Sequence, residues 1–168
     1  MPNQKLSKYE KHERDLGTYF IHSFPKEIKQ AAFTPPNSYS TWDMWYSTWE
    51  QPDVSIINEI KVRNFEYTKY PDYILEVGKI KNLMKMYKQG KPINYINFFK
   101  NKKGFYDCIV FNLSARVKKW KKDNHIPTII KSMNAATFKS KYDKVEKEVV
   151  MLSFDPTMDT LIQNTQWK

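Results

Sequence analysis

Asp43, Glu59 and Lys61 sit in "STWDMWYSTWEQPDVSIINEIKVRNF", residues 40–65, among tryptophans and β-branched residues that would fill a buried sheet unaided. Two carboxylates and a lysine are the parts of a metal-assisted phosphodiester hydrolysis. Mg²⁺ or Mn²⁺ takes one or two carboxylates and completes its shell with water and phosphate oxygens, while the lysine faces the attacking water or the phosphate. Spacing tests the idea. Side chains alternate along a strand, so Ser55, Ile57, Glu59, Lys61 and Arg63 share one face, and Val54, Ile56, Asn58, Ile60 and Val62 the other. Asp53 has the right parity, but six strand residues put it about 20 Å from Glu59, and Pro52-Asp53 reads as a bend. Asp43 differs: a hairpin centred near Gln51 sets it across from Glu59, with Cβ atoms roughly 5 Å apart. Opposed carboxylates in an apolar sheet repel, and a hard divalent cation relieves the conflict. A salt bridge from Lys61 to Asp43 or Glu59 satisfies the same charges, and acidic-x-Lys triplets are common, so both readings stand at this point.

Lysine and arginine outnumber aspartate and glutamate by 28 to 18, a net charge of +10, which points to a polyanionic partner. Three clusters, "KIKNLMKMYKQGK" (79–91), "FFKNKKG" (98–104) and "SARVKKWKKDNH" (114–125), place cations beside Tyr87, Phe99, Phe105 and Trp120. The candidate phosphate contacts are Arg63, Lys79, Lys102, Lys103, Arg116, Lys118, Lys119, Lys121 and Lys122. Contacts of this kind neutralise phosphates without reading bases, and affinity through them falls steeply with salt. For Lys79 alone, a solvated helix lysine is the simpler reading. No signal-peptide core and no run of about 18 apolar residues occurs, so the expectation is a soluble protein with no membrane partner, cytoplasmic, and in the host cytoplasm if phage-encoded. The single cysteine, Cys108, excludes an intramolecular disulfide and zinc-finger spacing and reads as a small buried hydrophobe. His12, His22 and His125 have no ligand spacing and read as surface or capping residues. Trp42, Trp45 and Trp49 read as core, and no phosphate loop or nucleophile elbow is present.

The elements that must position these residues are short and punctuated by "FPKE", "TPPNS", "EQPD", "KYPD", "QGKP", "NKKG", "DNHIP" and "FDPT". Ser7 and Glu10 form a capping box before a helix over about residues 8–23, with Tyr9, Glu13, Leu16 and Phe20 on one stripe. "KQAAFT", "WDMWYS" and "VSIINEIKVRNF" read as strands, the last the strongest. Asp72 is expected to open a helix through "YILEVGKIKNLMKMYKQ", closed by Gly90. "INYINFF" and "FYDCIVF" form a hairpin around "NKKG", and "EVVMLSF" is a further strand. This order predicts one domain with a mixed sheet and helices packed on its faces.

The helix bearing "HERDL", the aspartate opening a strand in "TWDMWYS", and "NEIKVR" with Glu59-Ile60-Lys61, followed by a helix and more strands, resemble the PD-(D/E)XK, or restriction-endonuclease-like, nuclease superfamily. The resemblance covers about residues 8–113 and looks most like archaeal Holliday-junction resolvases and small phage-type nucleases. It implies a three-layer α/β/α sandwich with a mixed central sheet, a single nuclease-like domain over 1–168, and a C-terminal extension from 114 to 168. It also implies a Mg²⁺- or Mn²⁺-dependent nuclease acting on DNA, with RNA as the other substrate and a homodimer as one assembly. By the same resemblance Asp43, Glu59 and the carbonyl of Ile60 bind the metal, Lys61 assists catalysis, and Glu13 is the first-helix acidic residue. Trp42 stands where the family has proline, and the second helix lacks the glutamine-x-x-x-tyrosine of the RecB-like branch. The alternatives are a non-cutting nucleic-acid-binding or virion-associated protein on this fold, and an unrelated basic RNA-binding protein.

Overall fold

The Ser7 hydroxyl accepts the Glu10 N–H and the Glu10 carboxylate accepts the Ser7 N–H, starting α1 (Lys8–Ser23). The computed structural model describes residues 6–35, 42–134, 144–163 and 165–168. After α1 come β1 (Ile28–Phe33), β2 (Met44–Thr48), β3 (Ile56–Arg63), β4 (Asp72–Glu76), α2 (Val77–Lys88), β5 (Ile93–Lys100) and β6 (Tyr106–Asn112). The chain continues with α3 (Leu113–Lys122), β7 (Thr128–Asn134), β8 (Lys144–Ser153) and β9 (Thr160–Ile162). The turn read at "TPPNS" lies outside the described residues from position 36 onward.

Six strands form a mixed sheet in the order β1-β2-β3-β5-β6-β9, and β4-β8-β7 form a second, antiparallel sheet. β3 and β5 are parallel, with Ile57 opposite Ile93 and Arg63 opposite Phe99. The connection between them runs through β4 and α2, as a parallel crossover requires. Alternation along β3 divides the core as expected. Ile57 faces α2 and α3, in a cluster with Ile80, Leu83, Val117 and the second-sheet residues Tyr73, Leu75, Val150 and Leu152. Ile60 and Val62 face α1, in a cluster with Leu16, Phe20, Met44, Phe98, Cys108 and Trp167. Cys108 is fully buried, which pushes its thiol well above the ordinary range.

Two expectations are corrected. Residues 72–76 are a strand, not the first turn of a helix: Tyr73 and Leu75 point inward in alternation, and β8 supplies the partner strand. α2 therefore begins at Val77, and Gly90, at φ +81°, lies just past its end. Trp49 is 59% exposed, with the Lys29 ammonium 5.8 Å from its ring centroid, whereas Trp42 and Trp45 pack against the core. Within the expected C-terminal extension, β9 pairs with β6, β8 pairs with β4, and Trp167 packs on Phe20 and Phe98. α3 formed inside a stretch read only as a lysine cluster, because Leu113, Val117 and Trp120 recur at helical spacing and bury one stripe.

Candidate metal and phosphate site

β2 pairs with β3 only as far as Met44 opposite Asn58. Continuing that register sets Asp43 opposite Glu59, as a hairpin centred near Gln51 requires. The ladder ends there in a different way. The Asp43 N–H donates to the Asn58 carbonyl at 3.0 Å, and the Ile60 N–H donates to Asp43 Oδ2 at 2.7 Å. A side-chain oxygen thus takes the place of the strand partner that β2 no longer offers. In an extended strand a residue's N–H and C=O point to the same neighbour, so the Ile60 carbonyl also faces this open edge. Asp43 is tied to α1 in turn: its carbonyl accepts the Thr34 N–H, and the Arg14 guanidinium donates to the Thr34 carbonyl.

Glu59 belongs to the α2 face of β3. Its side chain is only 3% exposed, and its Oε1 is in contact with the Lys79 ammonium while accepting no hydrogen bond of normal geometry. Lys61 Nζ lies 3.6 Å from Glu13 Oε1, so α1 sends its acidic residue across the open edge of β3. Burial raises the Glu13 pKa above the ordinary glutamate value; the Lys61 charge opposes that rise, the Asp43 charge adds to it, and Lys79 opposes it. Glu13, Asp43, Glu59, Lys61 and Lys79 are therefore neighbours drawn from α1, the start of β2, β3 and α2.

The close seating of α1 sets how far Glu13 reaches. Gly17, one turn after Glu13, is buried, and a Cβ there would stand 2.8 Å from the Phe33 ring and 3.0 Å from Ile60 Cδ1. With glycine there the helix backbone approaches β1 and β3 this closely without displacing those side chains.

Among the described residues, no three His, Cys, Asp or Glu side chains converge closely enough to hold a metal ion. Asp43, Glu59 and the Ile60 carbonyl are hard oxygen donors near one edge, and the Glu59 oxygen is occupied by the Lys79 ammonium rather than by a backbone donor. That donor set suits a hard divalent cation. Asp53 lies in the turn before β3, exposed and away from this group.

The predicted phosphate contacts separate. Lys118, Lys119, Lys121 and Lys122 are exposed on α3, with Lys121 5.1 Å from the Tyr87 ring centroid. Lys102 and Lys103 are exposed in the β5–β6 turn, and Lys102 lies 3.9 Å from Glu66. Arg63 is committed within the fold, donating to Asn97 Oδ1, the Tyr95 hydroxyl and the Ile74 carbonyl at 3.0–3.1 Å. Arg116 pairs with the fully buried Asp159 carboxylate and donates to the Ser153 carbonyl. Lys79 is the residue whose role the sequence reading missed. With the helix start set at Asp72 it fell in a second turn, whereas a start at Val77 puts it in the first turn. The inward alternation of Tyr73 and Leu75 was the signal. His12 Nε2 is 2.9 Å from the Tyr106 hydroxyl, and His125 is exposed. In comparisons with known proteins, no family model, no curated protein and no solved structure matches this chain.

Proposed function

We propose that the protein is a Mg²⁺- or Mn²⁺-dependent nuclease that hydrolyses phosphodiester bonds in DNA. The observation that carries this reading is the Asp43–Ile60 hydrogen bond at the end of the β2–β3 ladder, with Glu59 and Lys61 on β3 and Glu13 reaching in from α1. The element order adds support: a helix, three antiparallel strands, a crossover that includes α2 and a parallel fourth strand resemble a restriction-endonuclease-like core, with β4 of the second sheet inserted in the crossover. Helices on both faces of the central sheet agree with a three-layer sandwich of that type.

Asp43, Glu59 and the Ile60 carbonyl would hold the cation, which when bound neutralises the scissile phosphate and lowers the pKa of a water at its surface. The rest falls to the chain. Lys61 is half-exposed and loosely paired with Glu13, so its ammonium can turn toward a non-bridging phosphate oxygen or the attacking water and steady charge as it develops. The exposed lysines of α3 and of the β5–β6 turn supply sequence-independent attraction for the phosphate backbone.

A second reading has one observation in its favour. The contact between Lys79 and Glu59 satisfies the buried charge without a metal, as a nucleic-acid-binding protein that does not cut would need. Cleavage of duplex, single-stranded and branched DNA with Mg²⁺, Mn²⁺ or chelator decides between them. The nuclease reading expects metal-dependent products lost in Glu59→Gln, and no products under any metal would leave the binding protein.

A further inference from the structure

Two buried carboxylates in this molecule meet cations in different ways. Asp159 is saturated: it accepts the Asn112 and Asp155 N–H groups at 3.0 and 2.9 Å and pairs with Arg116, whose side chain is only 13% exposed. Both ends of that pair are inside the fold, and backbone donors fill the remaining lone pairs, which is what a permanent buried ion pair requires. Glu59 is equally inaccessible but has none of this support. No backbone N–H is directed at its Oε1, and its cation, Lys79, is 48% exposed. Gly78, beside Lys79 in the first turn of α2, has open space around it: a Cβ there would meet nothing within 4 Å. The ammonium covers the carboxylate on a flexible four-carbon stem, and among the described residues the charges that act on it are those of Glu59 and, more weakly, Glu13.

We infer that Lys79 is an exchangeable counter-ion of Glu59: it neutralises the carboxylate while no divalent cation is bound and is displaced by one. This rests on the reading of Asp43 and Glu59 as metal-binding residues. It accounts for the different partners of the two acids: the Glu59 carboxylate contacts Lys79 of α2, and the Asp43 carboxylate accepts the Ile60 N–H. A divalent cation would have a stronger claim on a hard carboxylate than an ammonium, and Asp43 and Glu59 are the acids that would hold it. The released lysine then lies at the solvent-facing rim, where a substrate phosphate is the next available anion. Metal binding and the release of a phosphate-seeking lysine become one event.

The test compares wild type, Lys79→Met and the Glu59→Gln/Lys79→Met double variant by thermal denaturation in chelator or in Mn²⁺, and by calorimetric Mn²⁺ titration. In chelator, Lys79→Met melts several degrees below wild type, because a buried carboxylate has lost its cation. Mn²⁺ restores that melting temperature, and Lys79→Met binds Mn²⁺ about 5-fold or more tightly than wild type, the lower range for two sites in competition. The double variant, with no buried charge to neutralise, regains stability in chelator and does not respond to Mn²⁺. If wild type binds Mn²⁺ and cleaves DNA but Lys79→Met binds it no more tightly, Lys79 is a fixed structural partner and the inference fails while the nuclease reading stands. If neither wild type nor Lys79→Met binds Mn²⁺, the metal-binding reading fails and the inference with it.

Discussion

Asp43 Oδ2 accepts the Ile60 N–H at 2.7 Å, so the side chain of one strand closes the hydrogen-bond ladder of the next where backbone pairing has run out. The bond gives Asp43 a structural duty in addition to any part in chemistry, and two substitutions separate these roles. Asp43→Asn keeps an oxygen acceptor, so its chemical denaturation midpoint stays close to wild type while metal-dependent cleavage is lost. Asp43→Ala leaves the Ile60 N–H without its partner and costs about 1–3 kcal/mol in addition to the lost cleavage. Equal stability of the two variants would show that the bond does not hold the edge.

Lys61 and Glu13 are 3.6 Å apart and both are partly exposed, a geometry for which solvent screening leaves little net stabilisation, about 1 kcal/mol or less. Lys61→Ala is therefore expected to melt near wild type and bind DNA nearly as well, yet fail to cleave it. A large loss of thermal stability in Lys61→Ala would instead assign the lysine to the structure.

Glu13 makes a pH prediction with a definite sign. Burial raises its folded-state pKa above the ordinary value of 4.5, so the folded protein holds this proton more tightly than the unfolded chain. As pH rises through the ordinary glutamate value and on through the raised one, Glu13 increasingly opposes folding. Glu13→Gln removes that term, so the variant should gain stability relative to wild type across this window and show no such difference below it. Denaturant melts at several pH values check this; a constant difference would mean that the carboxyl titrates alike in both states.

Gly17 controls the depth of α1. In Gly17→Ala the new methyl group meets the end of the Phe33 ring and Ile60 Cδ1, which can tilt away, and alanine gains helix propensity of up to about 1 kcal/mol. Gly17→Val has no such relief and should cost about 1–3 kcal/mol through overpacking, while lifting Glu13 away from Lys61. The predicted order of melting temperatures is wild type and Gly17→Ala close together, with Gly17→Val well below.

The exposed lysines of α3 make a prediction about salt. A protein contacting 6–10 phosphates loses roughly 10³–10⁵ in affinity between 50 and 200 mM salt. Replacing Lys118, Lys119, Lys121 and Lys122 by glutamine should weaken binding equally for different sequences and flatten the salt dependence. Affinity that ignores salt, or is unchanged in this variant, would remove α3 from the nucleic-acid surface.

What the sequence determined by itself was local. The capping box of Ser7 and Glu10, the burial of Leu16 and Phe20 on one side of α1, the alternation along β3 and the β2–β3 register up to Met44 opposite Asn58 depend on residues close in the chain, where backbone periodicity decides which side chains share a face; Tyr9, expected on the α1 stripe, is instead 64% exposed. Tertiary structure decided the rest. "DYILE" suits a helix or a strand, and β8, far along the chain, made it β4 by offering its hydrogen-bonding edge. Four cations that looked alike in sequence were sorted in the same way. Arg63 was taken up by Asn97, Tyr95 and Ile74, and Arg116 by Asp159, while Lys61 met Glu13 and Lys79 met Glu59. Charge is a property of the residue, but its partner is set by which elements pack together, and that depends on contacts between segments distant in the chain.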